Sequence, residues 1–240
     1  MMNMKHLAII FGAALLAASC TCTFNGNGFS LGDKIVRGNG VEAQKIIEVG
    51  DFNAVSLAGS LDVIFTQTEG ESSVVLHSDE NLLDYYRIEL DRNTLVVSTK
   101  PYTSISPKAE SYISVCAPSL EAASVMGSGD IVIDNDIQVD GPLSLSVAGS
   151  GDISADRIVC KEFEAKVAGS GDIDAGPVTA EDIKLSVAGS GDIDLELIDA
   201  GNVNAKIAGS GDITLLGNAR SISSKVTGSG DVHTTGLKVQ

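Results

Sequence analysis

The sequence predicts an all-β chain folded as a parallel β-solenoid, with rungs of about 20 residues. Three observations carry that prediction. Gly-Ser-Gly-Asp occurs six times, starting at Gly127, Gly149, Gly169, Gly189, Gly209 and Gly228, in steps of 22, 20, 20, 20 and 19 residues. The residues before each copy alternate apolar and polar, as in Leu143-Ser-Leu-Ser-Val147 and Ile183-Lys-Leu-Ser-Val187, the pattern of a strand with one buried face. Each unit is also too short for a helical repeat, which needs roughly 33–47 residues.

At the front, residues 1–19 read as a signal peptide. Lys5 gives a positive start, and the apolar run from Leu7 to Ala18 is too short to span a bilayer as a stable helix. Leu16-Ala-Ala-Ser-Cys20 then resembles a bacterial lipoprotein signal, in which the cysteine, here Cys20, is lipidated and becomes the mature N-terminus. Such signals usually carry Leu, Val or Ile where this chain has Ala17; ordinary secretion is the alternative reading. Residues 20–44, with Asn25-Gly-Asn-Gly28 among them, read as a flexible tether.

Residues 45–125 are strand-rich but less regular. Phe52-Asn-Ala-Val-Ser-Leu-Ala-Gly-Ser-Leu-Asp62 echoes the later strand-plus-turn unit, with Leu61 in place of the second glycine. Strands follow at 73–77, 87–90 and 94–98, and Asp91-Arg-Asn93 marks a hairpin turn between the last two. Asp79-Glu-Asn-Leu-Leu-Asp-Tyr-Tyr86 is compatible with a short helix, and Tyr112-Ile-Ser-Val-Cys-Ala-Pro118 leads into the first full repeat.

From 126 to 240 each corner is followed by a second short strand, such as Ile153/Ala155 or Ile193/Leu195. A third apolar point comes next, at Ile137, Ile158, Val178 and Ile198. Ser224 breaks the pattern by placing a hydroxyl in an inward slot. The corner glycines fit a tight turn whose backbone angles other residues avoid. Stacked rungs set equivalent residues about 4.8 Å apart, so Asp130, Asp152, Asp172, Asp192, Asp212 and Asp231 form a ladder. Each Asp is read as a turn cap that accepts backbone N–H bonds. Calcium binding along the ladder is the alternative, although one Asp and one Ser per rung is a thin ligand set.

An ordered set of these segments resembles a known family. Phe52, Val55 and Gly59-Ser-Leu-Asp-Val63 come first, then Asp79-Glu-Asn-Leu-Leu83, Leu95-Val-Val97, Val115-Cys-Ala-Pro-Ser-Leu120 and Gly127-Ser-Gly-Asp130. This order is similar to the auto-transporter adhesin head, or GIN, domain, which is common in lipoproteins of Bacteroides-like bacteria. The resemblance covers about residues 45–235. It implies a right-handed parallel β-helix and an outer-membrane or other cell-envelope setting, and it supplies no catalytic residues. Surface-exported lipoproteins of such bacteria often carry acidic residues just after the lipidated cysteine. Thr21-Cys-Thr-Phe-Asn25 has none, which keeps a periplasm-facing anchor open beside the cell surface.

Charge and composition narrow the partners. Sixteen basic against 32 acidic residues give a net charge of −16, so nucleic acid and anionic headgroups are poor partners, and the expected membrane contact is the lipid anchor. Cys22, Cys116 and Cys160 lack paired metal-ligand spacing, and His77 and His233 stand apart. No catalytic triad or carboxylate pair can be argued from spacing, and no cofactor is expected. There is no Trp, and all four tyrosines fall between Tyr85 and Tyr112. Tyr85, Tyr86, Arg87 and Tyr102 are the candidate ligand-recognition patch; the competing reading has these aromatics filling a capping core. The expectation is a non-enzymatic envelope lipoprotein presenting a β-solenoid to an envelope or host protein or a glycan. The alternatives are a polysaccharide-binding or -cleaving β-helix and a periplasmic scaffold that self-associates through the open end of its stack.

Overall fold

The computed structural model describes residues 34–240. The signal peptide, Cys20 and residues 20–33 of the expected tether lie outside the described residues. The remainder of that tether is not a linker. Strand β1 (Lys34–Arg37) pairs in parallel with β8 (Thr103–Ser106), and β2 (Glu42–Ile47) pairs antiparallel with β5 (Ser73–Asp79). The polar, charged composition of 34–44 reads as a tether only because both strands lie at sheet margins, where little apolar surface is required.

The stack has two long walls. The first runs through β7 (Thr94–Thr99), β3 (Ala54–Ala58), β10 (Ala122–Val125), β13 (Pro142–Val147), β16 (Glu162–Val167) and β18 (Asp182–Val187). It ends on the C-terminal halves of β19 (Ile193–Gly209) and β20 (Ile213–Gly228). The second runs through β9 (Tyr112–Ala117), β4 (Asp62–Gln67), β11 (Ile131–Ile133), β14 (Ile153–Ala155) and β17 (Ile173–Thr179). It finishes on the N-terminal parts of β19 and β20 and on β21 (Val232–Val239). All these pairings are parallel, one rung per repeat. A narrower third wall starts at β12 (Ile137–Gln138) and β15 (Ile158–Val159) and continues through Val178.

Stacking order and chain order differ at the N-terminal end. The rung made by residues 94–117 lies beneath the rung made by 54–67, because β3 pairs with both β7 and β10. The outer edge of that first rung is then closed by antiparallel strands: β6 (Tyr86–Asp91) on β7, and β5 on β9. The expected hairpin turn joins β6 to β7, with Arg92 at φ 57°. Residues 79–86 do not form an α-helix; a turn leads into one 3-10 turn at Leu83–Tyr85, whose geometry sinks Leu82 into the core.

Period two translates directly into a packed interior. Inward rows such as Leu143–Phe163–Ile183–Val203 and Ile131–Ile153–Ile173–Ile193–Ile213 are almost fully buried, each side chain lying on its equivalent in the next rung. One inward expectation is displaced. Leu197 rather than Ile198 fills the third-wall slot opposite Val178, because register slips between Ala175 and Pro177 and turns Ile198 outward.

Candidate functional site

The repeated corner is bound together along the stack. The backbone N–H of Asp152 donates to Oδ1 of Asp130 at 2.8 Å, and that of Asp172 to Oδ1 of Asp152 at 2.8 Å. The same bond repeats from Asp192 to Asp172, Asp212 to Asp192 and Asp231 to Asp212, each at 2.7 Å. Asp130 N–H donates in turn to Asp62 at 3.0 Å, so the Gly-Ser-Leu-Asp echo supplies one more step of the ladder. The carboxylates therefore satisfy backbone donors that the turn would otherwise leave open. At Asp212 the bond from Asp231 N–H is the main influence lowering the carboxyl pKa; partial burial opposes it, and His233 at 3.4 Å adds to it. Among the described residues no three His, Cys, Asp or Glu side chains converge as a metal cage would require.

The glycines owe their place to stacking more than to φ. Among the corner glycines only Gly189 and Gly228 have positive φ, at 158° and 135°. A Cβ on Gly149, Gly171 or Gly211 would stand within 3.0 Å of the backbone of the glycine one rung below, where no side chain fits.

The corner row continues past Asp62 onto the N-terminal end. Register places Asp62 beside Tyr112, Tyr112 beside His77, and His77 beside Gln44. The His77 and Tyr112 rings stack with centroids 4.5 Å apart and planes 10° from parallel. They line a shallow cavity of about 320 Å³ together with Glu42, Gln44, Ser78 and Glu110. The sequence gives no sign of this pair, because antiparallel register between β5 and β9 brings it together. Of the tyrosines proposed from sequence, Tyr86 is withdrawn from the surface. Tyr86 is buried, with its hydroxyl 3.2 Å from Ser78 Oγ, and Tyr85 packs against the core. Arg87 pairs with Glu89 at 2.8 Å on the surface, and Tyr102 projects from a turn at 82% exposure.

Asp79, the first residue of Asp79-Glu-Asn-Leu-Leu83, has a structural role that sequence did not reveal. It has no exposed surface, yet it accepts backbone N–H bonds from Gly40, from Lys108 at 2.9 Å and from Ala109 at 3.1 Å. Burial would raise its pKa, but these donors outweigh it and hold the carboxyl below its ordinary value. The loop between β1 and β2 is thereby clasped to the body, with Asn81 donating to the Arg37 carbonyl at 2.9 Å. Cys160 is buried, and desolvation pushes its thiol up to about 11; Cys116 is half-buried and also free. On the first wall, Lys166, Lys184 and Lys206 line a cleft of about 360 Å³ beside Glu164.

Comparison with known proteins fixes the family. The sequence pattern described as "Putative auto-transporter adhesin, head GIN domain" matches residues 51–237. The chain belongs to the GIN-domain family. No curated protein matches it. A crystal structure described as "a putative adhesin" from Bacteroides fragilis has a TM-score of 0.70 at 20% identity, covering 82% of this chain and 99% of that one. A "putative adhesin" from Parabacteroides distasonis gives 0.60 at 20% identity, covering 83% and 99%. A "putative lipid binding protein" from the same species gives 0.57 at 22% identity, covering 86% and 100%. At these identities the likeness is one of fold. The GIN solenoid marks this chain as adhesin-like, and strands β1 and β2 precede the residues that the family pattern matches.

Proposed function

We propose that this GIN-domain protein is a non-enzymatic lipoprotein of the cell envelope, anchored through Cys20, whose solenoid walls serve as contact surfaces for an envelope or host macromolecule. The observation that carries the reading is the uniformity of the rungs. From β13 to β20 each first-wall strand is in register with the next, and the corners between walls are Gly-Ser-Gly-Asp turns rather than long loops. Stacked rungs of this kind build extended ordered faces suited to recognition, while inserted loops are where enzymes of similar architecture place their chemistry. The adhesin family supports the same reading.

Glycan recognition is a second reading, favoured by the stacked His77–Tyr112 pair over a cavity edged by Glu42 and Glu110. Aromatic faces beside carboxylate and amide groups suit sugar rings, whose C–H faces stack and whose hydroxyls donate. Fractionation and surface proteolysis test the main proposal. The wild-type chain should sediment with membranes, Cys20→Ser should not, and protease added to intact cells should cleave the anchored form. A Cys20→Ser chain that stays with the membrane contradicts the anchor; cleavage on intact cells fits a host-facing surface, and full protection restricts the contact to a partner in the periplasm.

A further inference from the structure

Charge is divided between the two walls in the later rungs. On the second wall, β17 and the N-terminal part of β19 turn Asp174, Asp194 and Glu196 to solvent and hold no lysine or arginine. On the first wall, Lys166 of β16, Lys184 of β18, Lys206 of β19 and Lys225 of β20 are all exposed. Alternation places them outward. Lys166, Lys184 and Lys206 each stand between two buried neighbours in their strand, and register carries Lys225 onto the same face.

Register also stacks these lysines. Lys206 lies directly beside Lys225, about 4.8 Å away along the stack, and Lys166 follows in the same row beyond Ser186. Lys184 sits beside Asn204, two residues from Lys206. Lys166 pairs with Glu164 at 2.8 Å, and Lys184 reaches Glu162 at 3.8 Å. Among the described residues no carboxylate pairs with Lys206 or Lys225. Like charges on neighbouring strands are unfavourable, yet a chain with 32 acidic residues sets none against these two. Uncharged Ser186, Asn204 and Ser223 complete the surface, and the cleft of about 360 Å³ opens between the lysines. An anion lying over the pair would relieve its repulsion.

We propose that this face of the first wall binds an anionic polysaccharide laid along the stack. Its carboxylate or sulfate groups are received by Lys184, Lys206 and Lys225, and its hydroxyls by Ser186, Asn204 and Ser223. The chemistry of the face selects this partner. An acidic peptide docks on a sheet chiefly by adding a strand to an edge, whereas these lysines project from a face. Single-stranded nucleic acid needs aromatic platforms, and Phe163, the one aromatic residue on these four strands, is buried. A charged glycan supplies anions and hydroxyls in alternation along a line, as the face receives them. The net charge of −16 does not forbid it. Physiological salt screens exposed charges beyond about 8 Å, so the lysines nearest the ligand outweigh acids on the other wall. The inference rests on the reading of the walls as contact surfaces, and not on the anchor.

Binding of the full-length chain, held in a non-ionic detergent, to immobilised dextran sulfate, polygalacturonate and uncharged dextran tests the proposal. At least one charged polymer should bind about tenfold more tightly than dextran, and which one does so tells sulfate from carboxylate. Lys206→Gln with Lys225→Gln should weaken that binding about tenfold. Lys100→Gln with Lys238→Gln makes the same change of net charge in the turn after β7 and on β21, and should change binding less than about twofold. The bound polymer should also raise the melting temperature of the wild type and not that of the Lys206/Lys225 variant. Without polymer that variant should melt no lower than the wild type, because neutralisation removes the like-charge contact; a clear fall makes the pair structural and overturns the proposal. No preference over dextran, equal loss in the two double variants, or equal binding of polyglutamate also overturns it. Loss with His77→Ala but not with the lysine variant moves glycan binding to the N-terminal cavity, and overturns it too. None of these results alters membrane fractionation of Cys20→Ser, so failure here and failure of the anchor are read separately.

Discussion

Single side chains in this molecule act mostly by answering backbone groups. Asp172 accepts the N–H of Asp192, and Gly171 lies on Gly151 with no room for a Cβ. The two should fail differently. Asp172→Ala removes one exposed cap and should lower the melting temperature by a few degrees. Gly171→Ala must push a backbone rung away from its neighbour, and its loss should be clearly larger in the same calorimetric comparison. Asp79 adds a pH dependence. Its folded pKa lies below the ordinary value, so its stabilising contribution is present above the unfolded pKa of about 3.9 and is lost as pH falls through the folded value. Protection of the Gly40 and Lys108 amides, measured against their intrinsic exchange rates, should therefore fall on acidification below about pH 4, while Asp79→Asn should already lack it at neutral pH. Unchanged protection in that variant would show that the clasp does not hold the loop. For Cys160, burial and a thiol pKa of about 11 predict that alkylating reagents at pH 8 leave it unlabelled until the chain is unfolded, as peptide mapping would show.

At the scale of elements, the stack depends on identical inward rows. Phe163 lies between Leu143 and Ile183 at 1% exposure, and its replacement by Ala should cost about 3–5 kcal/mol in denaturant unfolding, because rungs on either side cannot collapse into the gap independently. A cost near zero would mean the rungs are not in close contact there. These rows are also what made the fold legible: Gly-Ser-Gly-Asp spacing and period-two alternation specify rung length, inward residues and the Asp cap. The remainder was less legible for physical reasons. The 94–117 rung lies beneath 54–67 through pairing partners far apart in the chain, and no repeat marks that exchange. Strands β1 and β2 need little apolar surface at a sheet margin, so their composition resembles a tether. The slip after Ala175 comes from one extra residue, which reverses the facing of Leu197 and Ile198 without altering the pattern around it. The His77–Tyr112 pair exists only through antiparallel register, and Tyr86 leaves the candidate patch by entering the core.

Across the whole molecule, a chain of net charge −16 stacks a row of carboxylates from Asp62 to Asp231 along one corner. Neighbouring carboxylates repel, and those from Asp62 to Asp212 are each held by the backbone N–H they accept from the next rung. The backbone bonds along the ladder are those of scaffolding. Calcium distinguishes scaffolding from a metal site most directly, because a cation binding the folded ladder would stabilise it in proportion to its occupancy. The measurement is the melting temperature of the full chain by calorimetry, in excess chelator and in millimolar calcium. Equal melting temperatures are the predicted result; a large rise with calcium would contradict the account and make the corner a metal-binding site.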